Sequence, residues 1–134
     1  MISPQYAAGF FDGEGCINVS SCRTSLLIRT LVVNTNLEIL ELFKETWGGT
    51  IYQNKKGKEH WKQAYTWKLS YQLAYKFLQD IYPFLVVKAP QAEAAFIFYD
   101  NSPGKGKQRT EEALKLTLEA IDTIKNFNKK GVTV

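Results

Sequence analysis

The chain has 134 residues, 45% of them hydrophobic, and a formal net charge of +4. This length suffices for one core but not for a second domain of ordinary size, so we expect a single domain over residues 1–134. No apolar run approaches the roughly 18 residues that span a bilayer, and the chain does not open with a basic stretch followed by an apolar one. We therefore expect a soluble, intracellular protein without a membrane partner, in an organelle or in a bacterial cytoplasm.

A helix is predicted from about Pro4 to Asp12. Ser3 is a suitable N-cap, and proline is tolerated in a first helical turn. Ala8 and Gly9 carry little bulk, and Asp12 follows Ala8 by four residues, so the three share one stripe of the helix. Such a stripe lets another backbone approach closely, which favours contact with a second helix.

The end of this helix carries an acid in an unusual position. Gly13 and Gly15 permit a sharp exit from the helix and hold Glu14 between them. The partial negative charge at a helix C-terminus makes a carboxylate unfavourable there unless a cation neutralises it. Glu14 is therefore a candidate metal ligand; the alternative is a solvated glutamate in a glycine-rich helix stop.

The rest of the chain alternates hairpins with helices. Period-2 and helical patterns predict strands over 16–22 and 26–33, a helix over 37–47, strands over 50–54 and 61–69, and a helix over 71–81. Pro90 begins a further helix, a loop covers 101–108, and Thr110 opens a last helix. The predicted apolar stripe of that helix comprises Leu114, Leu118, Ile121 and Ile124. The order α, ββ, α, ββ, α, α, α predicts an α+β fold whose four-stranded antiparallel sheet has one face under helices and the other exposed and basic.

Positive charge is concentrated in the second hairpin. Between Tyr52 and Lys68, five lysines accompany a single acid, Glu59, which accounts for the whole net charge of +4. The lysines are Lys55, Lys56, Lys58, Lys62 and Lys68. Aromatic and amide side chains lie between them and can read base edges or press against sugars. The segment is typical of a nucleic-acid-binding face; the alternative is a solvated hairpin whose lysines guard a sheet edge.

The segment AAGFFDGEG at 7–15 resembles the signature of the LAGLIDADG homing endonucleases, which are intron- or intein-encoded DNases. Ala7 stands in place of the first leucine and Glu14 in place of the second aspartate. The resemblance implies an αββαββα-type fold, with a four-stranded antiparallel DNA-binding sheet per subunit and additional C-terminal helices. Because the chain holds one copy of the signature, it also implies a homodimer in which two signature helices pack together. Ala8, Gly9 and Asp12 are the expected dimer-interface residues.

The resemblance also implies roles for individual residues. Glu14 corresponds to the metal-binding acid, and the Gly13 carbonyl would be a further ligand of Mg²⁺ or of another divalent cation such as Mn²⁺. Lys88 matches a lysine that stabilises charge, and Asn34 falls where an amide orients water. Asp12 matches the first acid of the signature, for which a structural role is expected. The alternatives are that Asn34 only caps a helix and that Lys88 is only a solvated cation.

These expectations together indicate a site-specific double-stranded DNA endonuclease. It would cleave a long, near-palindromic target by Mg²⁺-dependent phosphodiester hydrolysis and leave staggered 3′-overhang ends, without a small-molecule cofactor. The alternative is a non-cleaving nucleic-acid-binding protein such as an intron RNA maturase or a transcription regulator. The contacts expected from the exposed face of the sheet are Asn18, Ser20, Arg23, Ser25, Arg29, Tyr52, Asn54, Lys55, Lys58, Lys62, Thr66 and Lys68.

Overall fold

A computed structural model of the chain describes residues 1–22, 25–102 and 109–129. Its elements in chain order are α1 (Pro4–Glu14), β1 (Gly15–Cys22), β2 (Ser25–Asn34), α2 (Leu37–Trp47), β3 (Thr50–Gln53), β4 (Tyr65–Leu69), α3 (Tyr71–Ile81), a 3₁₀ turn (Tyr82–Phe84), α4 (Ala89–Asp100) and α5 (Glu111–Asn128). The predicted α+β fold and its order of elements are confirmed. Residues 61–64 belong to the loop before β4 instead of extending that strand. No helix in these ranges is both long enough and apolar enough to cross a bilayer.

The four strands form one antiparallel sheet in the order β1-β2-β4-β3. Gly15 lies opposite Val32, and Val32 lies opposite Trp67 on the next strand. Paired residues in an antiparallel sheet point to the same side, so this register sorts every strand residue onto one of two faces. The helices cover the face that contains Val32 and Trp67, which we call the inner face. We call the opposite one the outer face.

An aromatic cluster joins the helices to the inner face. Phe43 and Trp67 have ring centroids 5.0 Å apart, and Trp47 meets Phe77 at 4.8 Å in an edge-on arrangement. Phe11 brings α1 into the same cluster, at 5.4 Å from Phe77. All five rings are buried, with Trp47 the most exposed at 7%. The cluster therefore sets the position of α1, and with it the acids at the end of that helix.

The buried face of α5 differs from the predicted stripe. Ile121 and Ile124 are buried as expected, but Leu114 and Leu118 are 46% and 48% exposed. Thr117 and Ala120 are buried in their place. The physical reason lies in α4, half of whose buried residues are alanines, namely Ala92, Ala94 and Ala95. Two helices that meet through small residues approach closely, so Thr117 and Ala120 fit between them where leucines would not.

The end of α5 is fastened to the edge of the sheet. Asn128 donates a hydrogen bond from Nδ2 to the carbonyl of Ile17 over 2.7 Å, and Gln91 of α4 donates to Asn128 Oδ1 over 2.8 Å. Ile17 lies on β1, which is an edge strand. The contact occupies a carbonyl on the edge strand that would otherwise be free to pair with another strand.

A buried tyrosine of α4 neighbours the inner face of β2. Tyr99 is 4% exposed, and Thr30 is fully buried. Burial raises the pKa of the Tyr99 phenol from its ordinary value of 10.0 to about 12, and the neighbouring Thr30 hydroxyl partly offsets that shift. The fold therefore accommodates the neutral phenol and not the phenolate.

Candidate functional site

Asp12, near the end of α1, holds the segment that leads into α4. Its carboxylate accepts two backbone hydrogen bonds, one from the N–H of Val86 over 2.8 Å and one from the N–H of Lys88 over 2.9 Å. These partners lie more than seventy residues further along the chain. Asp12 therefore joins two distant segments, and both of its carboxylate oxygens are engaged in doing so.

Lys88 closes the same junction from the other side. Its ammonium donates to the backbone carbonyl of Asp12 over 2.8 Å. The last carbonyls of a helix lack intrahelical partners, and a cation is favourable at that end. The contact places the Lys88 ammonium at the end of α1. The residue that it binds, Asp12, precedes Glu14 by two positions in the sequence.

Glu14 is the last residue of α1 and is exposed. Within the described ranges its carboxylate takes part in no hydrogen bond or ion pair. The exit of the chain is set by Gly15, whose N–H donates to the carbonyl of Phe11. A Cβ on Gly15 would lie 2.1 Å from the Phe11 ring, so only glycine permits this close approach. The end of α1 thus carries an exposed acid without a partner among the described residues, two residues after the carbonyl that binds the Lys88 ammonium.

Asn34 ends β2 at the same end of the sheet. It follows Val32, the partner of Gly15, by two residues. Its Oδ1 accepts from the N–H of Asn36 over 2.8 Å, and Asn36 itself caps α2 by accepting from the N–H of Ile39 over 3.2 Å. The helix cap is therefore Asn36, and the amide nitrogen of Asn34 takes no part in capping.

The oxygen atoms at the end of α1 suit a hard divalent cation in type but not in number. A carboxylate from Glu14 and a carbonyl from Gly13 are ligands of the kind that Mg²⁺ and Mn²⁺ accept. Nowhere in 1–22, 25–102 or 109–129 do three His, Cys, Asp or Glu side chains cluster as a metal site would require. Among the described residues, the end of α1 therefore offers one available carboxylate in a single copy of the chain, and a fuller site needs ligands from elsewhere.

The register places the strand residues predicted to contact DNA on one surface. Asn18 pairs with Arg29, and Tyr52 pairs with Thr66. Lys68 lies on the same side and pairs with outward residues of both neighbouring strands. Together with Ser20, these side chains share the outer face. Arg23 lies outside the described residues, as does the side chain of Ser25, whose backbone begins β2.

The loop between β3 and β4 carries the remaining predicted lysines. Lys55, Lys58 and Lys62 are all exposed. The Lys58 ammonium lies 5.6 Å from the centre of the Trp61 ring, and that ring packs so closely on Gly57 that a Cβ there would be 2.4 Å from it. These contacts give the loop a defined shape, which presents its charges beside the outer face.

The structure corrects the prediction for Thr66. This residue lies on the outer face but is only 3% exposed. Its hydroxyl donates to Asn54 Oδ1 over 2.6 Å, so the two side chains cover one another. Thr66 orients the Asn54 amide, and Asn54 is the member of the pair that lies nearer the surface.

The exposed stripe of α1 also differs from the predicted one. Ala8 is fully buried in the core of its own chain, so it presents no surface to a partner. The exposed positions are Gln5, Tyr6, Gly9, Gly13 and Glu14. A Cβ at either glycine would meet nothing within 4 Å. The small stripe thus consists of Gly9 and Gly13, with Asp12 at its border.

A sequence model of the LAGLIDADG endonucleases matches residues 7–89, which include all but the first three residues of α1, the whole sheet and Lys88. The chain belongs to the LAGLIDADG endonuclease family. The match begins at the signature and covers more than half of the 134 residues. No curated protein sequence matches the chain.

Solved LAGLIDADG structures share the fold. The chain resembles the archaeal intron-encoded homing endonuclease I-Vdi141I, complexed with DNA, with a TM-score of 0.75 and 22% identity over 96% of this chain and 85% of that one. It resembles I-CvuI, solved with DNA in 2 mM Ca and in 2 mM Mg, with a TM-score of 0.74 and 20% identity over 98% and 85%. I-SmaMI, bound to cleaved DNA, gives 0.72 and 18% over 99% of this chain but 46% of that one. The family match and these DNA-bound neighbours support a DNA endonuclease.

The sequence pattern of this LAGLIDADG chain did not predict that two aliphatic residues are exposed on the outer face. Leu27 is 44% exposed and Val33 is 38% exposed, and both point away from the helices. The strand that holds them is aliphatic on both sides, so its alternation does not reveal which side is buried. Only the pairing with β1 and β4 shows that these two face outward.

Proposed function

We propose that the chain is a site-specific double-stranded DNA endonuclease that acts as a homodimer with a divalent cation. One observation carries the proposal: Glu14 ends α1 with an exposed carboxylate that has no partner among the described residues, and the Lys88 ammonium is bound to the carbonyl of Asp12, two residues before it. The same end of the sheet leads onto an outer face with Asn18, Arg29 and Lys68. An acid and a cation beside a polar, basic surface fit the hydrolysis of a phosphodiester held on that surface.

The dimer is supported by the exposed stripe of α1. Glycine in a helix costs roughly 0.5–1 kcal/mol relative to alanine, and no described residue of this chain requires Gly9 or Gly13 to be so small. A second α1 crossing there would require it. Beside the stripe, Val86 and Val87 are 80% and 64% exposed, and a partner would cover them. The 46% coverage of I-SmaMI fits two copies of this fold as the complete unit.

In such a dimer each chain would supply one set of reacting groups. The Glu14 carboxylate and the Gly13 carbonyl would hold Mg²⁺ or Mn²⁺ together with the same groups of the other copy. When bound, the cation supplies charge neutralisation and an activated water. Lys88 would stabilise the negative charge that develops on the phosphate, and the Asn34 amide would orient water. Twofold symmetry predicts a near-palindromic target, with one cut in each strand and staggered 3′-overhang ends.

The outer face would lie in the major groove. A β-ribbon fits that groove, where each base pair presents a distinct pattern of donors and acceptors. Lys55, Lys58 and Lys62 in the loop beyond β3 would contact phosphates. Asn18, Arg29 and Lys68 are the residues best placed to reach base edges.

The test is selection of cleaved sites from a randomised duplex library in Mg²⁺, followed by comparison of two matched variants on a recovered site. Glu14→Gln should lower the rate of cutting by at least about 100-fold, because it removes the ligand charge, while the affinity for duplex stays within a few-fold. Glu41→Gln changes an equally exposed acid on α2 and should cut like the wild type. Undiminished cutting by Glu14→Gln would refute the catalytic assignment. Wild-type protein that binds duplex but cuts none in Mg²⁺ or Mn²⁺ would favour a non-cleaving binding protein.

A further inference from the structure

Two aliphatic side chains of β2 are exposed on the outer face. Leu27 and Val33 of β2 are 44% and 38% exposed, whereas Leu31 between them is 8% exposed. Asn18 and Ser20 border the pair on β1, and Lys68 borders it on β4. Against phosphates or polar base edges, exposed aliphatic groups would displace water without replacing its hydrogen bonds. The pair therefore needs an apolar group on whatever covers it.

The major groove offers one such group. Among the four bases only thymine presents a methyl group, at C5, while the other groove edges are donors and acceptors. We propose that Val33 and Leu27 each contact a thymine methyl group in every half-site, and that Arg29 reads a guanine between them. This inference rests on the proposed function, since it assumes that the outer face enters the major groove of duplex DNA.

Arg29 suits the position between the two aliphatic residues. Arg29 is partly exposed, and within the described residues its guanidinium makes no hydrogen bond; because its Nε is buried, a base contact would use the two terminal nitrogens. Arginine pairs with the O6 and N7 acceptors of guanine through two hydrogen bonds. An arginine that contacts a guanine, flanked by two aliphatic residues that contact thymine methyl groups, would select a guanine between two thymines in each half-site.

The strand geometry predicts the spacing of that pattern. Residues rise about 3.4 Å each along a strand, close to the step of about 3.4 Å between base pairs. Val33 and Leu27 are six residues apart, so they span about 20 Å, or about six base pairs. Val33 lies towards the end of β2 that faces Glu14, because its neighbour Val32 pairs with Gly15. The inner thymine should therefore be nearest the cleavage point, with the guanine about four base pairs further out and the second thymine about two beyond it.

The first experiment is a binding selection from a randomised duplex library in the presence of a chelator. Binding survives without metal because phosphate contacts supply most of the affinity. Recovered duplexes should carry thymine at the inner and outer positions of both half-sites, with G·C between them. Recovered sites without this thymine preference would overturn the inference and leave the proposed function standing. A protein that retains no duplex would overturn both.

A second experiment replaces thymine by deoxyuridine, which lacks only the C5 methyl group, and so measures the contribution of that group to binding. Replacing one thymine by deoxyuridine in each half-site should weaken binding by about four-fold per half-site, the effect expected for one buried carbon. Val33→Ala should abolish the penalty at the inner position alone, and Leu27→Ala at the outer position alone. Leu118→Ala removes a leucine of similar exposure on α5 and should leave both penalties intact. Equal penalties in all three variants would overturn the inference, and all three sites are exposed enough for the variants to fold.

Discussion

Replacing Gly9 by alanine separates the folding of one chain from the association of two. In the single chain the added methyl group meets nothing within 4 Å, so the substitution should stabilise the helix by up to about 1 kcal/mol. In the proposed dimer the same methyl group enters the contact between two α1 helices, once from each copy. Overpacking of this kind costs typically 1–3 kcal/mol, which would raise the dissociation constant of the dimer by roughly 5- to 150-fold.

Gly15→Ala is the matched control, because its methyl group would lie 2.1 Å from the Phe11 ring and should destabilise the single chain. Sedimentation equilibrium measures the dissociation constant, and urea unfolding at a concentration below it measures the stability of the single chain. Gly9→Ala should give a more stable chain, a weaker dimer and slower cutting at low protein concentration. A Gly9→Ala protein that associates and cuts as well as the wild type would refute the role of the α1 stripe.

Three further outcomes follow from the structure. The folded pKa of Tyr99, about 12, lies above its ordinary value of 10.0, so the unfolded chain loses this proton first. Roughly 3 kcal/mol of stability, fully present below pH 10, should be lost as pH rises to 12. Tyr99→Phe should lack that loss in urea unfolding at successive pH values, and an equal loss in both proteins would contradict the assignment. Asp12→Ala leaves two backbone N–H groups without their acceptor and should lower the free energy of unfolding by about 2 kcal/mol, with Asp12→Asn intermediate; unchanged stability would show that the junction is dispensable. Replacing Lys58 and Lys62 by glutamine removes four charges from a dimer and should reduce the slope of log affinity against log salt by roughly 3.6, whereas an unaltered slope would place these lysines away from the phosphates.

Local sequence information predicted most of the elements and the family. Ser3 with Pro4, the Gly48–Gly49 pair and Pro90 mark helix ends through chemistry confined to a few neighbouring residues, and each lies where the structure begins or ends a helix. The signature segment carries its acid and glycines contiguously, so it could be read without any knowledge of the fold. The alternation of β1 likewise assigned Asn18 to the outer face correctly, because that strand is polar on one side only.

Tertiary structure decided what depends on distant segments. The engagement of Asp12 by Val86 and Lys88 joins residues more than seventy positions apart, and no local pattern announces it. The outward face of β2 could not be read because the strand is aliphatic on both sides, and only its neighbours fix the register that exposes Val33. Ala8 is small enough for either a core or an interface, so its burial was settled by the packing of α1 on the aromatic cluster. The spacing of apolar residues predicts whether a segment is a helix or a strand. Which side of that helix or strand is buried depends on the segments that pack against it.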